Sequence, residues 1–396
     1  MIGGDVTDEI SSQPVSAGDT VSAEETVDVA VVDPETLAPQ DLEALEDADP
    51  SPEPVTYSGS DFDVEGLVRR LDRGDIVIPT FGHGDTGIET AGFQRRFVWN
   101  RPQMDRFVES LLLGYPIPGI FLVQQADKRY LVLDGQQRLR TIAAFYGGLH
   151  DGREFALKNV GQPFVDLTYK KLTDEQRRTL DNTFIQATVV KTDGSPASLD
   201  AIYQVFERLN AGGTQLTPHE IRVALYAGPF IDYLTRLNAL PDWRALYGPE
   251  SPRLRDQELV LRIVALYVSP GTYRRPLKKY LNDFAASHRH LSGFPAAVVE
   301  ERFKASAALL NDAAGPGQDA IRSGSRQVNA ALAEAVFVGL ARRLDAGTAP
   351  APAAVKTATE QLRESSEMES AISRATADEE AVRTRLAVST RIFAAI

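Results

Sequence analysis

The sequence predicts an α+β protein in three parts: an acidic tail at residues 1–60, a mixed domain at 61–195 and a mostly helical domain at 196–396. Two observations lead to this fold class. Up to about residue 195, short apolar runs bounded by Gly and Pro, typical of strands, alternate with segments of helical spacing. Beyond that point Leu, Ala, Arg and Glu recur at helical spacing, which predicts helices to the end of the chain.

The tail is defined by its charge. Residues 1–60 hold 15 of the 55 Asp and Glu residues and no Lys or Arg, which leaves 40 acidic against 42 basic residues in the rest of the chain. Tyr57 is the only aromatic residue of this segment. Such a composition cannot bury enough apolar surface to offset the entropy of ordering, so the tail is expected to be disordered. A second interpretation is that it mimics nucleic acid and covers a basic groove.

The mixed domain is predicted from closely spaced elements. In chain order these are a helix at 64–71, a strand at 76–78, a helix from 102 to about 113, strands at 119–123 and 130–133, a helix at 136–146 and a strand at 185–191. Asp127 and Lys128 form the turn that joins two of the strands into a hairpin. In the helical domain, Thr217 and Glu220 predict a capping box at a helix start.

Composition excludes several classes of site. The chain has no Cys, which excludes disulfides, thiolate zinc sites and cysteine nucleophiles. Of its five His residues, His288 and His290 lie two apart and would point to different faces of a helix, so a histidine metal centre is not expected. No apolar run reaches the roughly 20 residues that span a bilayer, and the N-terminus lacks the pattern of a signal peptide. A cytoplasmic protein without membrane contact is therefore expected.

The strongest chemical signal is Asp134-Gly135-Gln136-Gln137-Arg138, called the DGQQR turn below. An apolar strand ends at Asp-Gly and a helix starts at once, so free N–H groups and the positive end of the helix dipole favour an anion there. Arg138 and Arg140 add positive charge that suits a phosphate. Asp134 would bind Mg²⁺, orient water or cap the helix. The alternative that Asp134 is only a cap and Gly135 only a turn stays open at this point.

Several linked motifs resemble one family. They lie, in chain order, at 78–79, 93–99, 109–118, 134–138, 206–217 and 255–262. Together they are similar to the N-terminal domain of GmrSD-type restriction endonucleases, which belongs to the ParB/sulfiredoxin-like superfamily. The resemblance covers about residues 62–290 and implies a ParB-like fold for the mixed domain.

The resemblance also implies a function. In the family the DGQQR motif is associated with nucleotide hydrolysis, and members act on or sense modified phage DNA in bacterial defence. Carried over by position, Asp134, Gln136, Gln137 and Arg138 would be catalytic, and Asp134 would hold Mg²⁺. Nucleotide and phosphate contacts would come from Gly135, Arg140, Thr141, Gln94, Arg95, Arg96, Asn210 and Thr214. Trp99 is interpreted as a core anchor rather than a surface on which a base stacks.

These arguments predict an NTP-binding and NTP-hydrolysing component of a restriction system, with a nucleoside triphosphate and Mg²⁺ as ligands and DNA as a partner. No His follows His290, so the chain lacks the HNH nuclease arrangement of larger family members, and stand-alone endonuclease activity is not expected. Two alternatives stay open. One is a non-catalytic DNA-binding or regulatory subunit that needs a partner nuclease, and the other is a metal-dependent DNA-nicking enzyme that uses Asp134.

Overall fold

The computed structural model describes residues 55–78, 99–125, 127–209, 217–314, 319–322 and 327–396. Most of the predicted tail lies outside these residues. The strands are β1 Tyr57–Asp63, β2 Ile76–Val77, β3 Ile120–Gln124, β4 Tyr130–Asp134, β5 Leu149–His150, β6 Arg153–Glu154 and β7 Phe184–Lys191.

Five of these strands form one mixed sheet in the order β1-β7-β3-β4-β2. β1 runs antiparallel to β7, and β7 runs parallel to β3. β3 and β4 form the predicted antiparallel hairpin, with an irregularity between Phe121 and Leu122, and β2 lies parallel to β4 at the edge. β5 and β6 make a separate two-stranded hairpin. All strands predicted from the sequence are therefore present.

The predicted disordered tail extends too far along the chain, because its last residues belong to the edge strand β1. Its first four residues, 57–60, were expected to be disordered, yet they pair with β7 from Tyr57 opposite Val190 onward. Ser58, Gly59 and Ser60 have little preference for strands. Their conformation is set by the ladder of hydrogen bonds that β7 offers, which lies far along the chain and gives no local sequence signal.

Four helices accompany the sheet in the N-terminal part: α1 Val64–Asp72, α2 Arg101–Leu112, α3 Gln136–Gly147 and α4 Asp174–Asp181. The start of α2 is fixed by a capping box between Asn100 and Gln103, with Pro102 in the first turn. These helices bury one face of the sheet. That core includes Leu67, Val108, Leu111, Leu122, Val132, Leu139, Ile142 and Ile185.

The remainder of the described chain is helical. The helices are α5 Pro196–Leu209, α6 Pro218–Leu225, α7 Pro229–Asn238, α8 Pro241–Tyr247, α9 Arg255–Val268, α10 Leu277–Ser287, α11 Ala296–Ala314, α12 Ala330–Asp345, α13 Pro352–Glu364, α14 Ser366–Ser373 and α15 Glu379–Ala394. The capping box predicted for Thr217 and Glu220 is present at α6. No described helix combines the length and apolar character that a bilayer crossing requires.

The helical region shares the sheet with the N-terminal helices. Successive residues of a strand point to opposite faces, and β4 shows this clearly. Val132 packs with α1 to α4, whereas Leu131 and Leu133 belong to the core formed by the later helices. Both faces of the central strands are therefore covered, which explains why these strands read as continuous apolar runs.

Buried ion pairs link several helices of the helical region. Glu334 of α12 accepts hydrogen bonds from Arg262 of α9 and Arg385 of α15, and all three side chains are buried. Burial raises the pKa of Glu334, but the two arginines outweigh that effect, so the pKa lies below its ordinary value. Glu258 of α9 pairs with Arg222 of α6 across 3.4 Å.

The predicted α+β class is confirmed: a mixed sheet with helices precedes a helical region. The ParB-like assignment of the mixed domain and the boundary at residue 195 stay predictions.

Candidate functional site

The DGQQR turn lies where β4 passes into α3. Asp134 is the last residue of β4, Gly135 follows, and α3 begins at Gln136. Gly135 has φ +96°, and a Cβ atom there would lie 2.4 Å from Cγ2 of Ile120 in the neighbouring strand. Both the backbone angle and the contact require glycine. This residue lets the strand enter the helix without an intervening loop.

The start of α3 has no side-chain cap. Gly135 is the N-cap residue and has no side chain to accept a hydrogen bond, so Asp134 does not act as the cap. The first intrahelical bond runs from the Leu139 N–H to the Gly135 carbonyl. The N–H groups of the three residues between them lie at the positive end of the helix dipole, where anions are stabilised.

Arg138 is held against the turn by two acceptors. Its Nη2 donates to Asp134 Oδ2 over 2.7 Å and to the Gly119 carbonyl over 3.0 Å. The Arg138 side chain is only 14% exposed, whereas that of Asp134 is 54% exposed. Arg138 Nε is buried and has no partner among the described residues. The guanidinium is thus fixed from one side and orients the carboxylate of Asp134.

The two glutamines of the turn differ in their surroundings. Gln137 Oε1 accepts a hydrogen bond from the Trp99 backbone N–H over 3.4 Å. Gln136 is only 8% exposed, and its side-chain amide makes no hydrogen bond within the described chain. Its amide atoms still contact solvent, whereas Arg138 Nε is fully buried. Gln136 is therefore the residue of the turn whose side-chain amide is open to a ligand.

These side chains surround a small cavity, called the turn cavity below. Its volume is about 180 Å³. The lining consists of Trp99, Leu133, Asp134, Gly135, Gln136, Gln137 and Arg138. The four predicted catalytic residues and Gly135 are thus together in one place. Ligand pockets for whole small molecules measure roughly 300–1,000 Å³, so the turn cavity suits phosphate groups rather than an entire nucleotide.

The other predicted contacts are distributed differently. Thr141 is fully buried, and its hydroxyl donates to the Gln137 carbonyl within α3 over 2.7 Å. Arg140 is half-buried and does not line the turn cavity; residues two apart on a helix do not share a face. The remaining predicted phosphate ligands, Gln94, Arg95, Arg96, Asn210 and Thr214, lie outside the described residues.

The positions of the carboxylates decide which of them could hold the predicted Mg²⁺. In the part of the chain that the structure describes, no group of three or more His, Asp or Glu side chains is placed to hold a metal ion. Asp134 is the one carboxylate in the lining of the turn cavity. Mg²⁺ is usually held by one or two carboxylates together with substrate phosphates and water. Among the described residues, Asp134 is therefore the carboxylate that would hold Mg²⁺ arriving with a nucleotide, and this stays a prediction.

Trp99 has a second environment that the sequence did not indicate. Its ring packs edge-on against Phe107 with centroids 5.3 Å apart, in agreement with the predicted core role. It is nevertheless half-buried and also borders the turn cavity. The only signal in the sequence was its position just before α2, which does not reveal that α2 and α3 bring their N-terminal ends together.

Comparison with known proteins gives one finding. No curated protein and no solved structure gave a significant match to the chain. Residues 77–227 match the family model described as GmrSD restriction endonuclease, N-terminal domain. The matched segment contains the DGQQR turn, the hairpin that supports it and the capping box of α6. Residues 77–227 therefore match the same family that the sequence motifs resemble.

Proposed function

We propose that the chain binds a nucleoside triphosphate with its phosphates in the turn cavity and hydrolyses it, as a component of a DNA restriction system. The family of residues 77–227 supports the restriction role. Gln136 carries the nucleotide proposal, because its solvent-accessible amide has no partner within the described chain and lines a cavity at an uncapped helix start.

The charges favour phosphate over other anions. Backbone N–H groups at a helix start and an arginine beside them form a common phosphate site. Arg138 keeps its positive charge at the cavity although one of its nitrogens bonds to Asp134. Asp134 repels a bare anion, so the proposal includes Mg²⁺ on the phosphates, which neutralises part of the charge of the leaving diphosphate.

The residues of the turn have distinct roles in the proposed hydrolysis. Gln136 holds the attacking water, because its amide is free to bond while Gln137 is engaged with Trp99. The water oxygen forms the new bond to the terminal phosphorus, and the bond from this phosphorus to the bridging oxygen breaks with its electron pair on the nucleoside diphosphate. The proton of the water leaves to solvent through the half-exposed carboxylate of Asp134. Arg138 stabilises the charge on the transferred group.

DNA is the proposed target and a nuclease the proposed partner. We assign cleavage to a partner nuclease, in keeping with the restriction endonuclease family that residues 77–227 match. In this role, hydrolysis at the turn would report on DNA engagement rather than cut the strand.

The test is phosphate release from a panel of nucleoside triphosphates with Mg²⁺, with and without DNA. Wild type is compared with Gln136→Ala and with Gln361→Ala, an exposed glutamine of α13 that serves as the matched control. We expect turnover that falls by about 10²-fold in Gln136→Ala and stays unchanged in the control. Calorimetric binding without turnover would reject hydrolysis and keep the binding role. Absence of binding by every triphosphate would reject the proposal as a whole.

A further inference from the structure

A second, larger cavity adjoins the DGQQR turn. It has a volume of about 710 Å³ and is called the hairpin cavity, since residues of β5, β6 and their turn form one wall. Its lining consists of Trp99, Asn100, Arg101, His150, Asp151, Arg153, Glu154 and Lys158. Trp99 lines both this cavity and the turn cavity, so the two cavities are neighbours.

The volume and the lining indicate what kind of ligand fits. The volume lies within the range of small-molecule pockets, whereas the turn cavity is far below it. Arg153 and Lys158 are exposed donors, and Glu154 is an exposed acceptor; within the described chain none of the three side chains has an ion-pair partner. Positive and negative groups nearly balance, so the cavity suits a neutral ligand rich in donors and acceptors rather than a polyphosphate.

The inner wall of the hairpin cavity is preformed. Asp105 is fully buried and accepts hydrogen bonds from Arg101 Nε over 2.8 Å and from the Lys158 backbone N–H over 3.1 Å. The Arg101 guanidinium also lies 3.8 Å from the centroid of the Phe155 ring and donates to the Ala156 carbonyl. These contacts fix the start of α2 against the segment that follows β6. A preformed wall does not have to become ordered when a ligand binds, which lowers the entropic cost of binding.

Two contacts hold Trp99 in the position where it lines both cavities. Its backbone N–H bonds to Gln137 of the DGQQR turn, and its ring is braced by Phe107. An indole face in a ligand cavity is a surface on which a planar base stacks, and such stacking tolerates any base. The phosphate end of a ligand at the turn would therefore continue past an aromatic ring into the larger space.

From this arrangement we infer that the hairpin cavity holds the base and ribose of the nucleotide whose phosphates occupy the turn cavity. The inference rests on the proposed function and names the part of the protein that recognises the nucleoside. Arg153, Lys158 and Glu154 supply hydrogen bonds to the base and sugar, and Trp99 contacts the base. Trp99 was predicted from the sequence to be a core anchor only, and none of the other three residues was predicted to bind a ligand.

The fluorescence of Trp99 can be used to test this inference. The chain has two tryptophans, and the other, Trp243, is fully buried. Quenching of fluorescence by acrylamide therefore reports chiefly on Trp99. The probes are a nucleoside triphosphate, the corresponding nucleoside without phosphate, and inorganic tripolyphosphate, each also titrated by calorimetry in the presence of Mg²⁺. We expect the triphosphate and the nucleoside to shield Trp99, and tripolyphosphate to bind with much weaker shielding.

Variants separate this inference from the proposed function. The double variant Arg153→Ala, Lys158→Ala is compared with Lys304→Ala, Arg374→Ala, which removes two exposed cations elsewhere. We expect the first pair to weaken nucleoside triphosphate binding by about tenfold or more while tripolyphosphate affinity is kept, and the control pair to bind as wild type does.

Each remaining outcome has a clear meaning. If the hairpin variant binds the triphosphate like the control pair while Gln136→Ala loses binding, the phosphates lie at the turn and the nucleoside lies elsewhere, which overturns the inference alone. Equal shielding of Trp99 by tripolyphosphate and the triphosphate would overturn it too. If wild type binds neither compound, the proposed function fails and the inference fails with it.

Discussion

Gly135 is the residue on which the geometry of the DGQQR turn depends most directly. In Gly135→Ala the new methyl group meets two separate costs. The positive φ of +96° is unfavourable for any residue with a Cβ by about 1–2 kcal/mol. The Cβ atom would also lie 2.4 Å from Ile120 Cγ2, and overpacking of this kind costs about 1–3 kcal/mol. We therefore expect a loss of about 2–5 kcal/mol in the free energy of unfolding.

Gly148 supplies the matched control, because it ends the same helix with φ +73° and has open space where a Cβ would go. Gly148→Ala carries the backbone cost alone, about 1–2 kcal/mol. The assay is urea denaturation followed by circular dichroism, with the free energy of unfolding extrapolated to water. The difference between the two variants measures the contact with Ile120.

A double-mutant cycle with Ile120→Ala tests the cause. Ile120 is fully buried, so its truncation alone destabilises the protein by about 2–5 kcal/mol. The clash disappears in the double variant, which should therefore be less destabilised than the sum of the single variants by about 1–3 kcal/mol. If Gly135→Ala and Gly148→Ala differ by less than about 0.5 kcal/mol, the close approach of β3 to the turn is refuted.

Three further predictions concern buried ionisable side chains. Each is tested by the urea concentration at the midpoint of unfolding. Glu334→Gln should lose about 3–5 kcal/mol because two buried arginines lose their counter-ion, whereas Glu360→Gln on the exposed face of α13 should change nothing; equal midpoints would contradict the buried triad. Burial lowers the pKa of His219 from 6.5 to about 4, so its contribution is present above pH 6.5 and is lost as the pH falls toward 4. Wild type should lose about 2–3 kcal/mol more than His219→Gln between pH 7 and pH 4.5, and parallel pH curves would exclude this linkage. Asp105→Ala should cost about 3 kcal/mol, since several donors lose one charged acceptor; a loss under about 0.5 kcal/mol would show that the wall of the hairpin cavity does not depend on it.

Local signals account for what the sequence predicted well. The passage from β4 through Gly135 into α3 is encoded within ten residues by an apolar run, a glycine and helical spacing. The start of α2 was predicted from Pro102, and the structure adds the capping box between Asn100 and Gln103. Elements of this kind need no information from distant parts of the chain, so the sequence alone located them.

Features that depend on distant residues were missed. β1 is a strand because β7 pairs with it, and its own Ser and Gly residues give no sign of this. Gln136 and Gln137 are indistinguishable in the sequence, yet the approach of the Trp99 backbone engages one and leaves the other for a ligand. The hairpin cavity likewise depends on contacts between distant segments, because Asp105 of α2 accepts hydrogen bonds from the backbone of the segment after β6.

The position of β7 in the sheet also dictates when the protein can fold during synthesis. β7 lies between β1 and β3, although it is the last of the five strands to be made. A nascent chain that ends before Phe184 has no neighbour for β1 and leaves one side of β3 unpaired, so the backbone N–H and C=O groups of these edges stay unpaired until Lys191 has left the ribosome. The DGQQR turn and β3, which supports it, are both synthesised long before that moment, but one edge of β3 stays unpaired until β7 follows. A pause in translation after β7 has emerged from the ribosome would favour correct closure, and a pause before it has emerged would favour aggregation.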